Sequence, residues 1–556
     1  MTKAAYHLGT ESKRSLMWAV LLMAISPSGA LAEDAKEITV ALKDRAEKQI
    51  VVHNDFGNLL WQAAGEDPAA TMAVAARRES TSKADIISLL AVSTEGMCFY
   101  WPTRVGQNPR AGSLFEQMQP LTAAGVDPFG LVVEQVRAGG CAVLGKLRSN
   151  DCHHVAGLPE RASQFWLEHP EWRIGNIEAA TGGGPSLGSH PRVSSNELKF
   201  LDQRRAHLLD YSVSEVRELR LALVREFVQR YNVDGLTLNF IREPYCVSFP
   251  SKNAHYLTEF VAECRKIVDQ AATKRGKPAG IVGAIVPWDI EFCRLMGLDV
   301  DAWIGSGLLD YVSPSDTWVT DFNMDIEPWT KIAAGTRCAV YPGIVGLTSY
   351  ENDMCLPEEY ETEGTRSGSS MVTRENIRAL AHGFYAEGAD GVSFFNLYTT
   401  YYHPLFPLPD ICLPEPIEGK ERRYIYLKRA PLVSEWDFLQ LELSADSTER
   451  NTIPCRLHEN LNEVDASVRL KARHLADLGS LRVDVNNRAV PAEDLSLISH
   501  QGKDFLGKGV LYVQFPLADG MLRDGANEVG FSLADGATAE NGKVIIQEME
   551  IRVVPK

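Results

Sequence analysis

The chain is short of basic residues, of long apolar runs beyond its first thirty positions, and of paired cysteines. Lysine and arginine number 56 against 73 aspartates and glutamates, a formal net charge of −17 over 556 residues. A nucleic-acid partner requires a basic face to neutralise phosphate, so that class of function is excluded. The negative balance specifies no acidic function in turn, because it serves solubility alone. After the N-terminus no stretch is apolar enough for a membrane helix, which argues against a membrane partner. Ten cysteines occur, none in a CxxC pair and none at zinc-site spacing. In an exported chain some of them can oxidise, but the spacing assigns no pairing. The run Gly182-Gly183-Gly184 lacks the strand-then-helix context of a phosphate loop.

What is present begins with a targeting segment. Lys13 and Arg14 precede the apolar run Leu16–Ile25, and Ala30-Leu31-Ala32 has the small-x-small form of a cleavage site. The expectation is a signal peptide over 1–32, a mature chain from near Glu33, and a secreted or periplasmic location. No cysteine follows the site, which disfavours a lipid anchor. At 45% hydrophobic and 23% charged the full chain has a globular composition, and its length suggests two domains.

From about 48 to 398 one plan repeats: a short β-rich run, a few polar or aromatic residues, then a helical pattern. Eight strand candidates stand at Ile50–His53, Met97–Tyr100, Ala142–Leu147, Gly235–Phe240, Gly280–Val286, Leu309–Val312, Cys338–Tyr341 and Gly391–Phe395. Near-continuous apolar strands separated by helices indicate a parallel sheet covered on both faces. Eight such units predict an α/β fold, a (β/α)₈ TIM barrel over 33–408. Prolines 404, 407, 409, 414 and 416 mark a change, read as a linker over 409–430. From 431 to 556 short alternating runs at regular spacing, with turns at Asn486-Asn487 and Asp519-Gly520, predict a smaller all-β sandwich.

In a barrel of this kind reacting groups project from the C-terminal strand ends. Those ends supply His53-Asn54-Asp55, Tyr100-Trp101, Arg148 through His154, Asn239 through Glu243, Trp288-Asp289, Asp316 with Trp318, and Asn396 with Tyr398. Carboxylates and amides take paired sugar hydroxyls, and aromatic faces stack on sugar rings. Two carboxylates, one protonated and one charged, suit glycosidic cleavage. Each residue also has a plainer reading: an Asp at a strand end caps a helix or pairs with an Arg, and a Trp there belongs to the core.

The stretches LRSNDCHH, YNVDGLTLNFIREP, YVSPSDTW with TDFN, CAVYPGI and GADGVSFFNLY resemble bacterial glycosyl-hydrolase-like (family-ten-like) TIM-barrel proteins. The resemblance spans about 55 to 430, and the C-terminal part is similar to that group's accessory domain. It implies a glycosidase with a carbohydrate substrate. Asp151, Asp316 and the cluster Arg148-x-Asn150-Asp151-x-His153 match the group's pattern. Its strand-four form, DG-x-x-x-D-F-x-R, meets Asn239 where the second Asp is expected.

The reading is a secreted glycoside hydrolase without cofactor or metal. Asp316, Glu243 and Asp151 are its candidate catalytic carboxylates. Asn54, Asp55, Arg148, Asn150, His153, Asn239, Arg242, Trp288, Asp289, Asn396 and Tyr398 are its candidate substrate contacts. Two alternatives stand beside it. One is a non-catalytic glycan-binding barrel, suggested by Asn239. The other is a metal-assisted hydrolase using Asp151, His153 and Asp55.

Overall fold

Parallel strands buried on both faces form the centre of the computed structural model. It describes residues 42–556 apart from 57–58, 60–66, 94–95, 99, 154–158, 176–203, 205, 318, 350–369, 396–406, 428–439 and 499–509. In chain order the strands are β1 (Gln49–Asn54), β2 (Ile86–Val92), β3 (Ala142–Arg148), β4 (Gly235–Asn239), β5 (Ile281–Pro287), β6 (Tyr311–Ser315), β7 (Ala339–Val340) and β8 (Gly343–Val345). An antiparallel pair, β9 (Leu347–Ser349) with β10 (Ser370–Met371), precedes β11 (Gly391–Phe395). The main sheet runs β7-β6-β5-β4-β3-β2-β1-β11-β8, parallel at every pairing between these nine strands.

Strand two differs from the expectation. It is Ile86–Val92, not Met97–Tyr100; Met97 makes only an isolated bridge to Gln107. The run Ile86-Ile87-Ser88-Leu89-Leu90-Ala91-Val92 is buried throughout, as a strand covered on both faces requires. Trp101 packs behind it and donates its Nε1–H to the Ala91 carbonyl at 2.9 Å. Strand six is likewise displaced, to Tyr311–Ser315.

Strand seven is divided. β7 and β8 stand at opposite ends of the sheet order but are separated in the chain by Tyr341-Pro342 alone. β7 pairs with β6 and β8 with β11. Tyr341 N–H bonds the Val312 carbonyl at 2.9 Å, and Ser393 N–H bonds the Pro342 carbonyl at 2.8 Å. Pro342 has no N–H to give, so the ladder is interrupted there. The result is a curled parallel sheet whose two edges lie on one broken segment.

Side chains alternate across each strand. One set turns inward: Val51, Ile86, Ala142, Leu144, Ile281, Tyr311, Ala339 and Tyr341 pack with Leu42 as a separate apolar cluster. The other set joins the helices in the larger core. Above the inner cluster lies a polar layer. Ser88 Oγ bonds Thr237 Oγ1 at 2.8 Å, Thr237 Oγ1 meets Tyr311 OH at 2.7 Å, and His53 Nε2 meets Ser313 Oγ at 3.3 Å. Tyr311 fits because Gly283, its register partner, has no side chain; a Cβ there would lie 2.0 Å from the ring.

The stretch 409–430, read from its prolines as a linker, is structured. It forms the short helices Pro409–Cys412 and Pro414–Ile417 and the strand β12 (Arg422–Tyr426). The prolines sit in first helical turns, where a missing N–H costs nothing. Beyond it come β13 (Leu441–Ser444), β14 (Asn451–Leu457), β15 (Val464–Arg473), β16 (Leu481–Val485), β17 (Arg488–Ala489), β18 (Ser496–Ile498), β19 (Val510–Pro516), β20 (Gly525–Leu533) and β21 (Lys543–Pro555). They make two antiparallel sheets, β12-β21-β15-β19-β18 with β13 also on β21, and β14-β20-β16-β17. Asn486 and Asn487, at φ 51° and 65°, form the tight turn between β16 and β17. The helix Arg374–Ala386 lies against β12, where Asn376 Nδ2 donates to the Arg423 carbonyl at 2.8 Å. Among the described residues no helix is long and apolar enough to cross a membrane. The nine described cysteines are buried.

Candidate active site

Because the strands run parallel, their C-terminal exits share one end of the sheet. Asp55 follows β1, Arg148 ends β3 with Asp151 close behind, Asn239 ends β4 ahead of Arg242 and Glu243, and Asp316 follows β6. A chain of charges joins the first three exits. Lys146 Nζ lies 3.0 Å from Asp55 Oδ1. Arg148 forks between two carboxylates, reaching Asp55 Oδ2 at 2.6 Å and Asp151 Oδ2 at 2.5 Å. The other Asp151 oxygen accepts the His153 backbone N–H at 3.0 Å and contacts His153 Nδ1. Arg242 Nη2 then donates to His153 Nε2 at 2.8 Å.

These contacts set protonation. Burial opposes a charge on Asp151, but His153, Arg148 and Arg242 outweigh it and hold the carboxyl well below its usual range. Asp151 pulls His153 upward, yet burial and the cations Arg242 and Arg148 prevail and lower it. A neutral ring accepting from Arg242 at Nε2 carries its proton on Nδ1, facing Asp151. Burial brings Lys146 down to about 8 despite Asp55; its ammonium also sits 4.7 Å from the centre of the Phe395 ring. Burial, then Lys146, likewise depress His53.

Glu243 is held from one side. Arg204 Nη1 ion-pairs with its Oε1, and Cys152 Sγ lies 3.2 Å from the same oxygen. Both of these contacts fall on Oε1. Burial, then Glu243, push the Cys152 thiol far up, so it is an S–H donor. Asp316 accepts the Asp321 backbone N–H at 2.7 Å on Oδ2, and Thr317 Oγ1 bonds the Ile241 carbonyl at 3.0 Å, tying the β6 exit to the β4 exit. Glu243 and Asp316 are each 2% exposed. Asn239 is fully buried; its Oδ1 takes the Ile241 N–H at 3.1 Å, while Nδ2 has no partner among the described residues.

Other candidates make different contacts. Asn54, alternating with His53, turns outward beside Glu79 of the helix Pro68–Ser80. Asp289 caps the helix Ile290–Leu295, accepting from Phe292 N–H at 3.0 Å. Trp288 is buried in the core. Asn150 Nδ2 spans the Leu209 and Tyr245 carbonyls at 3.0 and 2.8 Å, and its Oδ1 has no partner among the described residues. Asn396, Tyr398, Trp318 and His154 lie outside the described residues. Lys146, Cys152 and Arg204 were not among the sequence candidates. A lysine at an inward position of a buried strand is a readable signal; nothing around Arg204 marks it in advance. No group of three or more His, Cys, Asp or Glu among the described residues has the arrangement of a metal site.

No family model matches the chain, and no curated protein matches it significantly. Among solved structures it is similar to the glycoside hydrolase domain of PgaB (BpsB) from Bordetella bronchiseptica (12% identity, 66% of this chain and 99% of that one, TM-score 0.40). It is also similar to an alpha-L-fucosidase from Bacteroides thetaiotaomicron (10% identity, 88% and 94%, TM-score 0.34). A third is a Paenibacillus cycloisomaltooligosaccharide glucanotransferase complexed with cycloisomaltoheptaose (8% identity, 92% of this chain, TM-score 0.34), of whose length the chain spans 58%. Two of these three neighbours are glycoside hydrolases by name and the third a glucanotransferase; likeness at this level leaves the activity of this chain to its own residues.

Proposed function

We propose that the protein is an exported glycoside hydrolase, built on an eight-unit barrel interrupted at strand seven, that cleaves a poly- or oligosaccharide at the mouth formed by the strand exits. The observation that carries this is the pair Glu243 and Asp316, two buried carboxylates on exits that Thr317 and Ile241 bind together. Glu243, held at Oε1 by Arg204 and the Cys152 thiol, serves as base or nucleophile through Oε2. Asp316 takes the complementary role of proton carrier. Asp151, fixed in its charged form between Arg148 and His153, is unsuited to give a proton and belongs to the sugar-gripping array with Asp55 and Arg242. Asn239 offers Nδ2 to a substrate hydroxyl.

The test is turnover of a panel of polysaccharides and oligosaccharides by the full chain, beside Glu243→Gln and Asp316→Asn. Each substitution is expected to lower kcat by about 100-fold or more, the scale of a lost acid or base, with glycan binding retained. Asn239 at the strand-four aspartate position favours a second reading, a barrel that binds glycans without cleaving them. Binding without turnover by the unsubstituted chain on every glycan would establish that reading instead.

A further inference from the structure

We infer that Cys152 is a positioning residue for the reaction, its thiol and Arg204 together fixing Oε1 of Glu243 so that Oε2 faces the mouth; this rests on the reading of Glu243 given above. The contact is specific. Cys152 leaves β3 directly after Asp151, is 2% exposed, and points its sulfur at the Glu243 carboxylate 3.2 Å away rather than at solvent. Glu243 sits three residues before Cys246, whose sulfur lies 3.9 Å from the Glu243 backbone carbonyl, so the acid is bracketed by soft groups on both its side chain and its backbone. Among the described residues, the charged and titratable groups that act on Glu243 include Arg204, Arg242, Cys152 and, through Cys152, Asp151, with Asp316 on the neighbouring exit. Arg204 supplies charge from a segment separate from either strand exit. The thiol supplies direction: a buried S–H has one proton, and donating it to Oε1 orients the carboxyl plane.

A neutral thiol suits this task. Because the S–H bond is made to the charged carboxylate, losing it favours the protonated form.

The experiment uses the full chain as parent, Cys152→Ala, Cys152→Ser and Glu243→Gln. It combines the pH profile of kcat/KM with infrared difference spectra of the S–H stretch. Cys152→Ala is expected to lower kcat several-fold with KM little changed. Its acidic limb should move to higher pH by about half a unit, the scale of one hydrogen bond lost from a carboxylate. Cys152→Ser, which keeps a donor, is expected to return the limb to the parent's position. The downshifted S–H component of the parent should vanish in Cys152→Ala and move in Glu243→Gln. A parental pH profile in Cys152→Ala, or an S–H band indifferent to Glu243→Gln, overturns the inference. Full turnover by Glu243→Gln removes the functional reading and the positioning role with it, even where the infrared difference shows the contact, so the two failures are told apart.

Discussion

Glu79, at the end of the helix Pro68–Ser80, is 3% exposed, and burial raises its carboxyl to about 7 against a smaller opposing effect of Asn54. An acid whose folded pKa exceeds its unfolded value of 4.5 stabilises the fold fully below 4.5, and that contribution is lost as pH rises through 7. The loss amounts to at most about 3 kcal/mol over that window. Glu79→Gln is therefore expected to unfold at a higher denaturant concentration than the parent at pH 8 and at nearly the same concentration at pH 4. Equal differences at both pH values would show that Glu79 is not the titrating group. The same burial separates Asn54 from the mouth. A one-residue step along β1 turns His53 inward and Asn54 outward, a distinction that a list of strand-end residues does not contain.

At the scale of elements, packing inside the sheet constrains β5 and β6 together. Gly283→Ala would place a methyl 2.0 Å from the Tyr311 ring, which then gives up its bond to Thr237 or displaces β6. Overpacking of this kind costs about 1–3 kcal/mol, so chemical denaturation should show a loss on that scale. A loss under about 0.5 kcal/mol would mean that the ring has room to move. Six of the eight strand positions could be read to within about two residues because apolar runs such as Ala142-Val143-Leu144 and Ile281-Val282 are bounded by turns. Strand two was misplaced because Met97–Tyr100 carries the aromatic residues expected at a strand end, while the true strand follows a helix without a proline or glycine to announce it. β12 was hidden by prolines that, here, begin helices. In strand seven the run Cys338–Tyr341 reads as the whole strand, and its second piece, Gly343–Val345 beyond Pro342, is hidden by that proline. The charged array was legible as a set of residue types at strand exits. Its pairings were not, because Arg204 reaches Glu243 from a distant segment and Arg148 divides itself between two acids.

At the scale of the whole molecule, the curled sheet and the antiparallel sheets share one buried apolar cluster, and polar contacts join them as well. Glu387 takes Arg456 and His458 across the boundary, and Asn323 Nδ2 reaches the Pro454 carbonyl at 3.0 Å. Two openings bear on the proposed function: the mouth at the strand exits, and a cleft of about 770 Å³ lined by His382, Tyr385, Arg422 and Glu459, between the helix Arg374–Ala386 and the antiparallel strands. The account stands on the first. The most direct test is a crystal structure of Glu243→Gln grown with an oligosaccharide that the parent cleaves. The account predicts the sugar spanning the mouth, with a hydroxyl within hydrogen-bonding distance of Asn239 Nδ2 and the scissile oxygen between positions 243 and 316. Sugar seated in the cleft, with the mouth empty of it, would contradict the account.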